Sequence, residues 1–126
     1  MAERILIVDD DPETTRSLAE LLRRKGYVVR EENDSTQALA VAREIQPHAV
    51  ILDYLMPRAH GGDVAWQLAS DALLRDVRII ICSGVAPAEI KTKLPPSRIP
   101  ILGKPVDFDA LIDLIRDSGA ATASRG

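Results

Sequence analysis

Four short runs of uninterrupted apolar residues constrain the fold of this chain more than any other feature. They occupy residues 5–8, 50–52, 79–81 and 101–102, and polar residues follow close behind each of them. A strand that faces water on one side alternates apolar and polar residues, so unbroken runs predict strands that are covered on both faces of a sheet. We therefore expect the sheet to lie between two layers of helices.

Helical patterns fill the segments between these runs. Asp11 followed by Pro12 predicts an N-cap and the first residue of a helix, and Gly26 is suited to end that helix. Asp34 with Gln37 three residues later predicts a second helix that begins with a capping box. Similar signals predict three further helices.

The predicted elements alternate from strand to helix five times. Strands are expected at residues 4–8, 27–30, 49–52, 77–81 and 99–102. Helices are expected at residues 12–25, from 34 to Pro47, from about 63, from 87 to before Pro95, and from 107 to about 117. Regular alternation implies right-handed parallel crossovers. We therefore predict an α/β fold with a doubly wound, five-stranded parallel sheet of order 2-1-3-4-5 and helices on both faces.

The length and composition fit one globular domain. The chain has 126 residues, of which 46% are hydrophobic and 28% are charged. We assign residues 1–118 to the domain and expect residues 119–126 to be a flexible tail or a truncated linker. No apolar run approaches the roughly 20 residues that span a bilayer, so membrane insertion is not expected. The N-terminus lacks a signal-peptide profile, which favours a cytoplasmic location.

The charge and the cysteine content argue against two further classes of function, nucleic-acid binding and redox chemistry. The net charge of −3 and the absence of a basic stripe argue against direct nucleic-acid binding, because phosphate recognition depends on clustered positive charge. The longest basic stretch, residues 23–25, falls in the last turn of the predicted first helix, where cations stabilise the helix dipole. Cys82 has no partner for an internal disulfide, and its apolar neighbours predict a buried, reduced thiol.

Polar residues of opposite charge follow the predicted strands. Asp9 and Asp10 follow the first strand, Asp53 the third, Ser83 the fourth and Lys104 the fifth. The carboxyl ends of parallel strands lie along one edge of a sheet, so we expect these side chains to converge. Three converging carboxylates repel one another unless a divalent metal or the Lys104 ammonium offsets their charge. A cation is therefore expected at this edge.

These residues sit in four motifs that together resemble a known family. The motifs are Val8-Asp9-Asp10-Asp11, Leu52-Asp53-Tyr54-Leu55-Met56-Pro57 followed by Gly61, Ser83-Gly84, and Lys104-Pro105. An aspartate after a single strand is common in turns, but four motifs in register are specific. Over residues 4–117 the chain resembles the receiver domain of two-component response regulators, of the kind typified by the chemotaxis response regulator.

The resemblance implies a phosphorylation site. It makes Asp53 the acceptor of a phosphoryl group from a histidine kinase or a histidine phosphotransfer protein, and it places Lys104 and Ser83 against the phosphoryl oxygens. Mg²⁺, which prefers six hard oxygen ligands, would be held by Asp10, Asp53 and the backbone carbonyl of Leu55, with Asp9 helping. Such a domain catalyses only its own phosphorylation and dephosphorylation and is not otherwise an enzyme. Phosphorylation switches a surface that binds a downstream protein.

Three features depart from the family pattern. Ile101 stands where many receivers carry an aromatic switch residue, and Ser83 stands where many carry threonine. Leu55 and Val85 are apolar at two positions beside the acceptor that are often polar in relatives. The apolar pair is expected to slow loss of the phosphoryl group, and the lack of an aromatic argues against signalling by a ring flip.

Two other functions compete with this interpretation. A phosphatase of the haloacid dehalogenase type uses a strand-terminal Asp-x-Asp, which Asp9 to Asp11 satisfy, but it leaves Asp53 and the Met56-Pro57 turn without a role. A pseudo-receiver would bind a partner without phosphorylation, but such a module gains nothing from an acidic cluster. Labelling by a small phosphodonor with Mg²⁺ separates the three functions.

Overall fold

The structure of the protein, a computed structural model, describes residues 2–96 and 98–125, with side chains described through Arg116. Within this part of the chain, five strands alternate with five α-helices. They are β1 Arg4–Val8, α1 Pro12–Arg24, β2 Val28–Glu32, α2 Ala38–Ile45, β3 Ala49–Asp53, α3 Gly61–Ala69, β4 Arg78–Ser83, α4 Pro87–Lys91, β5 Ile101–Gly103 and α5 Phe108–Arg125. Two 3₁₀ turns, Ser35–Gln37 and Ala72–Leu74, precede α2 and β4.

The strands form one parallel sheet in the order β2-β1-β3-β4-β5. The predicted fold class and strand order are therefore confirmed. The register aligns the carboxyl ends of the central strands, because Val8 pairs with Leu52 and Asp53 pairs with Cys82. Each polar residue that follows a strand therefore starts from the same edge of the sheet.

Alternate residues of each strand pack into one of two apolar layers. Leu6 and Val8 point to the layer that contains α2, α3 and α4, where Leu68 and Ile90 are fully buried. Residues of the opposite phase, such as Ile7, point to the layer of α1 and α5. The sheet is covered on both faces because successive side chains of a strand point in opposite directions and nearly all of them are apolar.

Strand boundaries differ from the prediction at the polar ends. β2 extends to Glu32 because backbone pairing with β1 continues past the apolar residues, up to the pair Val8 and Glu32. β4 likewise extends to Ser83, which pairs with Gly103 of β5. β5 itself begins at Ile101 rather than residue 99, and the preceding Pro100 contributes only its carbonyl, which accepts a hydrogen bond from Ile81. Hydropathy alone misses this backbone pairing.

Helix starts differ because short polar side chains capture the first amides. Asp11 caps α1 and Pro12 is its first residue, as predicted. Asp34 accepts a hydrogen bond from the backbone of Thr36, but it caps the 3₁₀ turn, and Glu32 rather than Gln37 accepts the hydrogen bond from the Asp34 amide. The predicted capping box is therefore wrong.

The starts of α3 and α5 also differ from the prediction. α3 starts at Gly61, two residues before the predicted Asp63, whose carboxylate accepts a hydrogen bond from the His60 amide at 3.3 Å. α5 begins at Phe108, after Asp107 has capped it through bonds from two amides, and its helical backbone continues to Arg125.

The end of α5 lies well past the predicted position near residue 117. Three alanines between residues 120 and 123 favour continuation, since alanine has the highest helix propensity. The side chains of residues 117–126 fall outside the described part, so the tail or linker at residues 119–126 remains a prediction. Among the described residues, no helix has both the length and the apolar character that crossing a bilayer requires.

Candidate functional site

The carboxyl edge of the sheet brings the predicted site residues together. Asp9 directly follows β1, Asp53 is the last residue of β3, and Ser83 is the last residue of β4. All three are buried, with exposed fractions of 6%, 8% and 2%. Lys104 follows β5, the edge strand beside β4, and its side chain contacts Asp53. The parallel register therefore gathers residues from four segments of the chain into one cluster.

Three carboxylates of this cluster are close enough to share a cation. One oxygen from each of Asp9, Asp10 and Asp53 lies within 4.8 Å of the others. Asp10 is exposed, so the cluster opens to solvent on that side. Carboxylate oxygens are hard ligands of the kind that Mg²⁺ prefers, and a site open to water lets the ion keep several waters. These residues therefore fit a magnesium ion.

The ammonium group of Lys104 pairs with two of the carboxylates. Its Nζ lies 2.8 Å from Oδ1 of Asp53 and 3.4 Å from Oδ2 of Asp9. Partial burial acts to lower the pKa of Lys104, but the hydrogen bond to Asp53 and the charges of both carboxylates outweigh it and raise that pKa above its ordinary value. Lys104 is therefore charged at neutral pH and offsets part of the repulsion in the cluster.

Asp9 is held from two sides. Its Oδ1 accepts a hydrogen bond from the Asp11 amide at 3.0 Å, while its Oδ2 faces Lys104. Burial raises the pKa of the Asp9 carboxyl, and the charge of Asp53 adds to that rise, whereas the Asp11 amide and Lys104 only partly oppose it. The charged form of Asp9 is thus under-compensated, and a cation at the cluster would stabilise it.

Ser83 carries a buried hydroxyl at the same edge of the sheet. Its Oγ accepts a hydrogen bond from the Val85 amide at 2.9 Å, which fixes the oxygen and leaves the O–H free to donate. The Ser83 carbonyl accepts a hydrogen bond from the Lys104 amide at 2.9 Å, so the ends of β4 and β5 are joined. Lys104 is followed by a cis peptide bond to Pro105.

A tight loop carries Leu55 between β3 and α3. The Gly61 amide donates to the Tyr54 carbonyl at 2.7 Å and closes this loop. A Cβ at Gly61 would lie 2.5 Å from the Asp53 carbonyl oxygen, so no other residue fits there without displacing the backbone of Asp53. Leu55 is the first exposed residue of the loop, with 57% of its surface accessible. Its carbonyl as a metal ligand remains a prediction.

Other residues singled out in the sequence lie outside the cluster. The Asp11 carboxylate accepts hydrogen bonds from the Glu13 amide and the Thr14 hydroxyl, so it serves as a helix cap. His60 is exposed at the start of α3. Cys82 is a buried free thiol, and burial raises its pKa to about 12, which keeps it protonated and unreactive.

A known family matches nearly the whole chain. Residues 5–116 match the family model of the response regulator receiver domain. The chain belongs to this family. The resemblance drawn from the four sequence motifs is confirmed, and the protein is a receiver domain of the two-component response regulator type.

Relatives of this receiver domain are signalling proteins. The DNA-binding response regulator MtrA of Mycolicibacterium smegmatis is 40% identical over 72 residues, which cover 57% of this chain and 32% of MtrA. The hybrid signal transduction histidine kinase D of Dictyostelium discoideum is 30% identical over 109 residues, which cover 86% of this chain and 7% of the kinase. The receiver domain thus spans less than a third of the length of MtrA and a small part of the kinase.

Solved structures share the fold over nearly the whole chain. The response regulator receiver domain of Bermanella marisrubri has a TM-score of 0.79 and 29% identity, and the match covers 93% of this chain and 98% of that one. A CheY-like receiver domain protein of Methanospirillum hungatei has a TM-score of 0.86 and 22% identity, with 100% of both chains covered. Chemotaxis protein CheY4 of Vibrio cholerae has a TM-score of 0.86 and 21% identity, over 94% of this chain and 99% of that one.

Two polar residues near the cluster were not predicted from the sequence to have a role there. Asn33 and Ser35 lie in the segment between β2 and α2, and each donates a hydrogen bond to a carbonyl of a loop beside the site. Neither belongs to a motif. Their roles depend on which loops the fold places beside them, and no local sequence signal carries that information.

Proposed function

We propose that this receiver domain accepts a phosphoryl group on Asp53 from a histidine kinase or a histidine phosphotransfer protein, with Mg²⁺ bound at the same site. The observation that supports this function is the position of the Asp53 carboxylate. It lies within 4.8 Å of a carboxylate oxygen of Asp9 and of Asp10, and its Oδ1 is 2.8 Å from the Lys104 ammonium, which also contacts Asp9. A nucleophile flanked by a cation-binding pair and a fixed positive charge suits the transfer of an anionic group.

The transfer itself needs little covalent chemistry from the protein. One oxygen of Asp53 attacks the phosphorus of a phosphohistidine, and an acyl phosphate O–P bond forms as the P–N bond breaks. The imidazole of the donor leaves with the electron pair of that bond and takes up a proton. Lys104 and the Ser83 hydroxyl then hold oxygens of the transferred group by a charge-assisted contact and a hydrogen bond.

Asp10 and Asp53 would hold Mg²⁺, with help from Asp9 and from the backbone carbonyl of Leu55. When bound, the ion neutralises carboxylate charge and stabilises negative charge on the transferring group. Asp9 is buried and fixed by the Asp11 amide, so it supplies charge from a set position. Asp10 is exposed and is free to contact an ion that retains several waters.

The phosphatase alternative is disfavoured by the role of Asp11. That mechanism uses the second aspartate of Asp-x-Asp as an acid and base, but both Asp11 oxygens accept hydrogen bonds at the start of α1. The same bonds lower the pKa of Asp11, led by the one from the Thr14 hydroxyl, which makes it a poor proton donor. Asp53 is therefore retained as the proposed nucleophile.

The phosphoryl donor and the downstream target are each proposed as a class of protein. A histidine kinase is the proposed donor because a hybrid histidine kinase is among the relatives. The target is a downstream protein that recognises the phosphorylated surface. MtrA is named as DNA-binding, but the match covers 32% of its length, and the net charge of −3 of this chain does not favour a nucleic-acid surface of its own.

Incubation with acetyl phosphate and Mg²⁺ tests the proposal by intact-mass spectrometry. The wild type should gain one phosphoryl group and Asp53→Asn should gain none. Asp10→Asn should need a higher Mg²⁺ concentration to reach the same extent of labelling. Asp76→Asn changes an exposed carboxylate outside the site and is the matched control. Undiminished labelling of Asp53→Asn overturns the proposal, continuous turnover that needs Asp9 indicates a phosphatase, and an unlabelled wild type indicates a pseudo-receiver.

A further inference from the structure

The segment between β2 and α2 makes hydrogen bonds to both of the loops that carry the proposed magnesium ligands. One loop follows β1 and contains Asp9 and Asp10, and the other follows β3 and contains Leu55. Both border an open groove of about 560 Å³, which Asp10, Asn33, Ser35 and Pro57 help to line. The segment therefore lies against both walls of the site.

Ser35 holds the loop after β3. Its side chain is 3% exposed, and its Oγ donates a hydrogen bond to the Pro57 carbonyl at 3.1 Å. The same carbonyl accepts a bond from the Ala59 amide at 2.8 Å. Pro57 is two residues after Leu55, so the Ser35 hydroxyl fixes the loop close to the carbonyl that is the proposed ligand.

Asn33 holds the loop after β1. Its Nδ2 donates to the Asp9 carbonyl at 2.8 Å and to the hydroxyl of Thr15 at 3.0 Å. Thr15 is fully buried in α1, and its own hydroxyl donates to the Pro12 carbonyl. The amide of Asn33 thus ties the backbone that joins Asp9 and Asp10 to the first turn of α1.

An ion pair adds a weaker contact between the same segments. Arg58, which has a left-handed φ of 70°, places Nη1 3.2 Å from Oδ2 of Asp34. Both side chains are more than a third exposed, so solvent screens this pair and little stabilisation comes from it. The two hydrogen bonds to backbone carbonyls are the contacts that set the spacing of the loops.

We propose that Ser35 and Asn33 are positioning residues for the magnesium site, which set the separation between the Asp9–Asp10 loop and the Leu55 loop. Neither residue contacts the ion, and this role rests on the proposed function of the site. Groups that orient metal ligands commonly affect affinity as strongly as weak ligands do, because misplaced ligands must be reordered when the ion binds. Removing either hydrogen bond should therefore weaken Mg²⁺ binding without removing a ligand.

The test is a calorimetric titration of MgCl₂ into the wild type, Ser35→Ala and Asn33→Ala. Each variant should bind Mg²⁺ about 3- to 10-fold more weakly, the range expected from loss of one hydrogen bond that orders ligands. Thr92→Val is the matched control, because it removes a hydroxyl that donates to the Glu89 carbonyl in α4, away from the site. Its Mg²⁺ affinity should equal that of the wild type.

A second readout needs no metal. Hydrogen exchange of the Ala59 and Gly61 amides in the metal-free protein should be several-fold faster in Ser35→Ala and unchanged in Thr92→Val. This measurement reports the order of the loop directly, and a loss of global stability without loop disorder would not change it selectively. Asn33 is exposed, so Asn33→Ala is expected to fold normally. If Ser35→Ala does not fold, the Mg²⁺ affinity of Asn33→Ala tests the positioning role.

The outcomes separate this inference from the proposed function. Mg²⁺ affinities within twofold of the wild type in both variants overturn the positioning role, even if both proteins are less stable to heat. Normal labelling of the wild type with acetyl phosphate would then leave the phosphoacceptor function intact. A wild type that binds no Mg²⁺ and takes no label overturns both.

Discussion

Nζ of Lys104 lies 2.8 Å from Oδ1 of Asp53, so the ammonium group contacts the proposed phosphoacceptor directly. Nζ also lies 3.4 Å from Oδ2 of Asp9, a residue 95 positions earlier in the chain. Lys104 thus stabilises these two carboxylates in the metal-free protein. The same charge must repel a divalent ion that binds to them.

Replacing Lys104 by methionine should therefore have opposite effects on stability and on metal binding. The metal-free variant should unfold at a lower temperature, because two buried carboxylates lose their compensating charge. Its Mg²⁺ affinity should rise roughly 3- to 10-fold, because a positive charge near the ion is removed. Thermal unfolding with and without Mg²⁺, together with calorimetry, measures both effects. A variant that binds Mg²⁺ more weakly would show that Lys104 supports the metal site rather than competing with it.

The phosphorylated form is expected to be long-lived because of Leu55 and Val85. Hydrolysis needs a water in line with the O–P bond, and a side chain that orients or deprotonates such a water contributes about 10²- to 10⁴-fold. Leu55 is exposed and Val85 is half-buried, and neither offers a polar group. The double variant Leu55→Asn with Val85→Glu should lose its label roughly 10- to 100-fold faster after removal of the donor.

The matched control for that lifetime is Leu73→Asn, which changes another exposed leucine outside the site. Its rate of label loss should equal that of the wild type. A double variant with an unchanged or longer lifetime would show that water reaches the phosphoryl group by another route.

Output should proceed without an aromatic switch, since Ile101 is half-buried at the first position of β5. If Ser83 moves toward a phosphoryl oxygen, the Val85 amide that donates to its Oγ should follow it, and the segment leading into α4 should move. Beryllofluoride, which mimics the phosphorylated acceptor, should therefore shift amide NMR signals of residues 86–94 and 99–102.

Trp66 provides an optical readout of the same change. Its indole N–H donates to the Lys93 carbonyl, just after α4, at 3.0 Å, and it is the single tryptophan of the chain. Its fluorescence should change with beryllofluoride in the wild type and stay constant in Asp53→Asn. NMR changes confined to the residues around Asp53 would refute the proposed spread to α4 and β5.

The pair formed by Arg43 and Asp71 should make stability depend on pH. Nε of Arg43 lies 2.6 Å from Oδ2 of Asp71, and that hydrogen bond, together with the Leu73 amide, holds the pKa of Asp71 below its ordinary value of 3.8. A lowered pKa means that the folded state binds this proton less tightly than the unfolded state. The stabilisation is therefore complete above pH 3.8 and is lost as the pH falls through the folded pKa.

Arg43→Met should accordingly lower the urea midpoint at neutral pH, and its deficit relative to the wild type should shrink below pH 3.8. Arg24→Met, which changes an exposed arginine at the end of α1, is the control and should show no pH-dependent deficit. A deficit in Arg43→Met that stays constant from neutral to acid pH would mean that the arginine acts through packing alone.

Much of the site was predictable because its residues follow the ends of strands. Hydropathy located the strands, and the geometry of a parallel sheet places their carboxyl ends along one edge, so Asp9, Asp53, Ser83 and Lys104 were expected to meet. Turn chemistry identified the caps of α1 in the same way. The boundaries of β2 and β4 were less predictable, because backbone pairing continued into Glu32 and Ser83, whose side chains carry no apolar signal.

The sequence by itself determined the kind of each element, the two-sided burial of the sheet and the set of charged residues at its edge. Apolar runs, proline, glycine and capping residues act over a few positions, and those signals are present in the unfolded chain. Only the tertiary structure decided that Ser35 holds the Pro57 carbonyl and that Asn33 holds the Asp9 carbonyl. Both bonds require loops from different crossovers to pack side by side, and the packing of the helices on the sheet sets that spacing.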